Sequence, residues 1–95
     1  MYIRIVRAQQ QPGQGEELAR RWQAFWESRM PSLPGFRHAH FGVNREANTA
    51  VAISVWDQRP DPALMEPLGQ EFRAQVTDIS AGEPVLEEYE MLGDF

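Results

Sequence analysis

Two histidines, His38 and His40, are the residues of this 95-residue sequence whose type and spacing first suggest chemistry. They stand two residues apart in PGFRHAHFGV, which reads as a β-strand. Because a strand sends residues i and i+2 to the same face, both imidazoles are predicted to point the same way. The pair could act as a base in a pocket or give two nitrogen ligands to a divalent metal. A catalytic metal site needs about three protein ligands and the spacing offers no third, so we expect no metal. Partly solvated histidines on an edge strand are the structural alternative.

Arg4 is the next candidate, because it falls inside a predicted central strand, where an arginine is rarely buried without a partner. It could stabilise an enolate or phenolate oxygen in a pocket, with Ser54 as a second polar partner. The structural alternative is an ion pair with Glu88 or Glu90 across the sheet. We take His38, His40 and Arg4 as the candidate catalytic residues.

Aromatic side chains recur at helical spacing and could form the wall of a pocket for a flat ligand. Such stripes are also typical of an ordinary core, and the two interpretations overlap. The residues expected to contact a substrate are Trp22, Trp26, Ser54, Trp56 and Phe72.

The elements that must position these residues follow from hydrophobic periodicity and from the turn residues between them. The order is β-α-β-β-α-β, which predicts one ferredoxin-like α+β domain over residues 1–95 with an antiparallel four-stranded sheet. Right-handed crossovers are expected to make the first and third strands parallel central neighbours. The predicted strands are Tyr2–Ala8, Phe36–Val43, Thr49–Asp57 and Pro84–Met91, and the helices are Gly15–Arg29 and Pro67–Ile79, the latter after a short turn.

The two faces of this sheet differ in character. One carries small and polar residues, and the other is apolar and rich in β-branched residues such as Ile3, Ile5 and Ile53. If Val43 pairs with Thr49, both histidines fall on the small-residue face and Phe41 on the other. Two helices can cover one face only. We expect them to cover the small-residue face, leaving the β-branched face to pack on a second copy in a two-fold homodimer; the reverse assignment stays open.

Composition excludes several classes of partner. The net charge is −5 and the pI about 4.9, which argues against a nucleic acid and against an anionic membrane surface. There is no cysteine, and no apolar run approaches the length of a membrane span. The first residues read as a strand and not as a signal peptide, so we expect a cytoplasmic protein.

The order and spacing of four segments resemble the antibiotic biosynthesis monooxygenase family of the dimeric α/β-barrel superfamily. These are the first strand running into PGQGEELARRW, the PGF that opens the second strand, the AISVW that closes the third, and the strand after the second helix. The resemblance implies a dimeric α/β barrel. Members of the superfamily include oxygenases of polycyclic phenols that need no metal or flavin, and haem-degrading enzymes.

Haem degradation fits the resemblance poorly. Trp56 matches a tryptophan that lines the pocket of haem-degrading members, but those members also carry an asparagine on the first strand and a histidine on the second helix. Here Val6 stands in the first place and Gln75 or Val76 in the second.

Two functions therefore remain open. The first is a cofactor-independent monooxygenase acting on an aromatic, phenolic or enolisable small molecule, with His38 or His40 as base and Arg4 as anion partner. The second is a non-catalytic dimeric ligand-binding or stress-related protein of the same fold. No cofactor is expected for either.

Overall fold

The computed structural model describes all 95 residues and has the predicted order of strands and helices. The four strands form one sheet in the order β2-β3-β1-β4. The predicted ferredoxin-like fold with an antiparallel sheet is confirmed. The elements are β1 (Tyr2–Gln9), α1 (Gly15–Trp26), a 3-10 turn (Met30–Ser32), β2 (Phe36–Asn44), β3 (Thr49–Trp56), α2 (Pro62–Gln75) and β4 (Val85–Glu90).

The expected parallel pairing of β1 and β3 is wrong, because the two strands are antiparallel, with Tyr2 opposite Trp56. Helix α1 returns the chain so that β2 runs in the same direction as β1. The tight hairpin then reverses the chain, so β3 must oppose β1.

Helix α2 begins one turn earlier than predicted. The Asp61 side chain accepts a hydrogen bond from the backbone N–H of Ala63 at 2.9 Å, and Pro62 occupies the first helical position. Pro67 therefore lies inside the helix, where its missing N–H removes one backbone hydrogen bond. The helix ends at Gln75 and the chain continues in turns to Ile79, instead of staying helical.

A bulge near the start of β2 decides which residues face the helices. Phe36 lies opposite Trp56, as the predicted register requires, but the register shifts before His38, and Val43 then lies opposite Ala50 and not Thr49. A shift of one residue moves every later side chain to the other face of the sheet.

The predicted faces of Phe41 and of both histidines are wrong for this reason. Phe41 lies on the helix side opposite Ala52, while His38 and His40 lie opposite Val55 and Ile53 on the other face. Neither histidine points toward the helices.

Both helices cover the small-residue face, as expected, because Ala50, Ala52 and Ser54 leave room for large aromatic side chains. Trp26 and Phe25 of α1 pack with Met65 of α2 and with Trp56 of β3, and a second cluster forms around Leu18. Neither helix is long and apolar enough to cross a membrane.

The opposite face of the sheet has no cover within the chain. Ile3, Ile5 and Ile53 on this face are only half-buried. Val85 and Tyr89 of β4 are 55% and 51% exposed. The apolar, open character predicted for this face is therefore present.

Candidate functional site

A cavity of about 440 Å³ lies between helix α2 and the small-residue face of the sheet. That volume lies in the range of small-molecule sites, which is roughly 300–1,000 Å³. Strand β1 supplies Arg4, Val6 and Ala8 to the floor, and hydrophobic residues dominate the lining. The other lining residues used in the argument below are Trp22, Trp26, Phe41, Ala52, Ser54, Glu66, Gly69 and Phe72.

The cavity exists because small residues face each other across it. Ala52 and Ser54 form the floor on β3, and Gly69 on α2 has no atom within 4 Å of the position that a Cβ would occupy. Gly69 therefore marks the side of α2 where a larger side chain would enter the cavity.

Aromatic rings form the wall on the α1 side. The Trp22 and Phe41 rings lie 5.1 Å apart between centroids, and the Trp26 and Phe72 rings 6.3 Å apart. These distances are typical of stabilising aromatic pairs. Trp22, Trp26 and Phe72 thus belong both to the wall and to the packing of the domain, as the sequence suggested.

Trp56 lies behind the floor of the cavity. It is fully buried, and its Nε1–H donates a hydrogen bond to Ser54 Oγ at 2.8 Å. It does not line the cavity, so the expected contact of Trp56 with a ligand is absent from this geometry. Ser54 does line the cavity. Because Ser54 Oγ accepts from the indole, its own O–H is oriented to donate elsewhere, which a ligand oxygen could use.

Arg4 is the only arginine of the chain without an ion pair. All nine basic residues are arginines, and the other eight each contact a carboxylate. Glu88 lies opposite Arg4 on β4, but it pairs with Arg59 at 3.2 Å. The expected structural pair of Arg4 with Glu88 is therefore not formed.

The pKa of Arg4 reflects its burial in the cavity wall without an ion-pair partner. Burial lowers its pKa, and the carboxylates of Glu88 and Glu66 offset part of that effect. Arg4 makes no side-chain hydrogen bond within the chain. A half-buried guanidinium with five free N–H donors thus faces an apolar cavity, an arrangement suited to an anionic oxygen.

Glu66 is a site residue that the sequence did not reveal. It lies on α2, lines the cavity and forms no ion pair. Burial lowers the pKa of Arg4, and from the opposite wall the negative charge of Glu66 offsets part of that effect. Its position depends on the early start of α2 at Pro62. A sequence interpretation that began the helix at Pro67 left Glu66 in a connecting turn.

The structure brings together Arg4, Ser54, Trp22, Trp26 and Phe72, and it separates both histidines from them. His38 and His40 are exposed on the far face of the sheet, with ring centroids 5.3 Å apart. The placement on which their proposed role as a pocket base depended is wrong, because of the bulge in β2.

Comparison with known proteins gives structural neighbours but no sequence relatives. No known protein family matches the sequence, and no curated protein matches it. Among solved structures, a monooxygenase from the gene ActVA-Orf6 of Streptomyces coelicolor, in complex with nanaomycin D, superposes with a TM-score of 0.79. The two share 16% identity over 99% of this chain and 89% of that one.

Two further neighbours come from Nitrosomonas europaea. One is a provisionally assigned antibiotic biosynthesis monooxygenase, with a TM-score of 0.78 and 19% identity over 96% of this chain and 89% of that one. The other is a protein of unknown function, with a TM-score of 0.71 and 17% identity over 99% of this chain and 91% of that one. These likenesses confirm the predicted resemblance at the level of the fold. Both named monooxygenases and a protein of unknown function have this fold.

Proposed function

We propose that this chain is a small monooxygenase-like enzyme that needs no cofactor and acts on a planar aromatic, phenolic or enolisable molecule. The observation that carries the proposal is Arg4, an unpaired and half-buried guanidinium in a cavity with aromatic walls. A protein that only needed Arg4 for its fold would pair it, as it pairs its other arginines.

Arg4 would hold the oxygen on which negative charge develops when the substrate loses a proton. A hydrogen bond to a charged group contributes about 1.5–3 kcal/mol, and a preorganised donor of this kind favours the anion over the neutral acid. The Ser54 hydroxyl would donate a second hydrogen bond to the same oxygen. Trp22 and Phe72 would contact the faces of the ring system.

Glu66 replaces the histidines as the candidate base. It faces Arg4 across the cavity, so a substrate between the two could lose a proton to Glu66 while its oxygen contacts Arg4. The resulting carbanion or phenolate would react with dioxygen directly. At an activated CH₂ group, one oxygen atom would become the carbonyl of the product and the other would leave as water.

Oxygen uptake with a panel of anthrones and polycyclic phenols tests this proposal, with mass spectrometry of the products. We expect Glu66→Gln to lower the rate by about 10²-fold or more, since general-base help is worth about 10²–10⁴-fold. Glu71→Gln is the matched control, because Glu71 lies on the same helix outside the cavity lining. Equal rates for the two variants would show that Glu66 is not the base. The absence of oxygen uptake with every compound of the panel would refute the proposed oxygenase activity.

The location of the site is tested by filling the cavity at Gly69. Gly69→Leu adds a side chain where a Cβ meets nothing, so it should occupy the cavity and abolish ligand binding. Gly69→Ala is the control: it should leave binding intact and stabilise the helix by up to about 1 kcal/mol. Normal ligand binding by a folded Gly69→Leu variant would place the ligand elsewhere.

We also propose that the open face of the sheet forms a two-fold homodimer. Its half-buried isoleucines and the exposed Val85 and Tyr89 make a mainly apolar surface, which also carries His38 and His40 on its β2 edge. The one charged pair beside them, Arg7 with Glu87 at 3.2 Å, is already neutralised. Such a surface is typical of an interface between copies.

Sedimentation velocity tests the dimer. Ile53→Glu places a charge at the centre of the open face and should give a monomer. Gln23→Glu, which adds the same charge to the exposed side of α1, should not change the assembly. A wild-type chain that sediments as a monomer at every concentration would refute the interface.

A ligand-binding protein without catalysis is the second candidate. It is favoured by the exposure of Glu66, because an active site usually excludes water from the group that takes part in the chemistry. Saturable binding of a panel compound with no oxygen uptake would establish this alternative.

A further inference from the structure

We propose that His38 and His40 form a two-imidazole chelate for a divalent transition-metal ion on the open face of the sheet. The bulge in β2 removes both side chains from the ligand cavity and exposes them together on the opposite face. The inference does not depend on the proposed oxygenase activity, because its test measures metal binding alone.

The geometry of the pair fits one metal ion. The ring centroids lie 5.3 Å apart. A Zn–N distance of about 2.0–2.1 Å in a tetrahedral site puts two coordinated imidazole centroids about 5 Å apart. Strand pairing with β3 fixes the spacing of the two residues, so side-chain rotation alone must turn one nitrogen of each ring toward a shared ion.

Within one chain the surroundings leave the pair free to bind a cation, and in the homodimer proposed above the second copy would meet the same face and could share the ion. Across the sheet the two histidines lie beside Val55 and Ile53, which are apolar. The nearest basic residue along the strand, Arg37, is neutralised by Asp57. No positive charge therefore opposes an ion at this position.

The chain itself supplies only these two ligands. No group of three or more His, Cys, Asp or Glu side chains is placed to hold a metal. Water or a second copy of the chain would complete the coordination. Ions that bind imidazole strongly, such as Ni²⁺, Cu²⁺ and Zn²⁺, are the expected occupants, while Mg²⁺ and Ca²⁺ are not.

The test is a titration of metal-free protein with Ni²⁺ or Zn²⁺ in competition with a coloured chelator. We expect His40→Ala to weaken binding about 10²-fold, because the second imidazole acts as an intramolecular ligand. The sharper control is the double variant His40→Ala with Gly42→His. It keeps two histidines on the same face but separates them by four residues, or about 13 Å, and a Cβ at Gly42 makes only an ordinary contact at 3.6 Å.

Binding by the wild type that is lost in both variants supports the chelate. A ratio of one ion to two chains supports it too, with the pairs of two copies sharing the ion. Wild-type binding no tighter than that of His40→Ala, or equal binding by the double variant, would overturn the proposal.

Discussion

Replacing Arg4 by methionine should stabilise the protein while removing its recognition of an anion. Methionine is unbranched, has a similar volume and fills most of the same space without a charge. Replacing a buried ion pair by apolar residues of similar volume often stabilises by about 1–4 kcal/mol, and an unpaired buried charge has no partner whose attraction would be lost. Arg4 is only half-buried, so the lower end applies, and we expect a gain of about 1 kcal/mol in the free energy of unfolding.

The assay is urea denaturation followed by circular dichroism, with thermal denaturation as a second measure. For a domain of this size a gain of about 1 kcal/mol raises Tm by roughly 4–8 °C. Arg37→Met is the matched control: Arg37 is exposed and paired with Asp57, so its replacement should change stability by less than about 0.5 kcal/mol. All variants must be compared at one protein concentration, because assembly would add to apparent stability.

The result that refutes the reasoning is a loss of stability of about 1 kcal/mol or more in Arg4→Met. Such a loss is expected when the removed charge has a partner, since the partner is then left unpaired. It would mean that Arg4 pairs with Glu88 in solution and has a structural role.

Three further predictions concern the histidines, the core and the response to acid. The variant with His38→Ala and His40→Ala should bind cavity ligands with an affinity within twofold of wild type in a calorimetric titration. A tenfold loss of affinity would show that the histidines contribute to the binding site. Trp56→Phe should lower the free energy of unfolding in urea by about 1–3 kcal/mol, because it loses buried volume and the hydrogen bond to Ser54; an unchanged midpoint would contradict its place in the core. Two arginines on α1 lower the pKa of Glu17 from 4.5 to about 2, so its stabilising effect is complete above pH 4.5 and is lost as the pH falls through 2. The destabilisation caused by Glu17→Gln should therefore be present at pH 7 and absent below pH 2; an equal effect at both would exclude the ion pairs as its cause.

The fold was predictable because the hydrophobic periods and the turn residues are clear in this sequence. The hairpin, the two faces of the sheet and the face that the helices cover all follow from the alternation of small and β-branched residues on β3. The bulge after Phe36 was not predictable, since one extra residue changes no composition and no period. That single residue moved both histidines to the opposite face.

The candidate site was partly predictable. Arg4 stood out as a charge on a central strand, but its lack of a partner depends on Arg59, which reaches Glu88 from beyond the end of β3. Glu66 could not be placed because Pro67 was interpreted as the first residue of α2, although it lies inside the helix. The Asp61–Pro62 sequence, a cap followed by a proline at the first helical position, indicates the correct start.

The most direct test of the central claim, that the cavity binds an anionic aromatic molecule through Arg4, is a calorimetric comparison of two ligands. A naphthoquinone with a hydroxyl group on its quinone ring is a vinylogous acid and an anion at neutral pH, and its methyl ether has nearly the same shape without the charge. We expect wild type to bind the anion about ten- to a hundredfold more tightly than the ether, and Arg4→Met to bind the two equally. Equal affinity of wild type for both ligands, or no binding of either, would contradict the account.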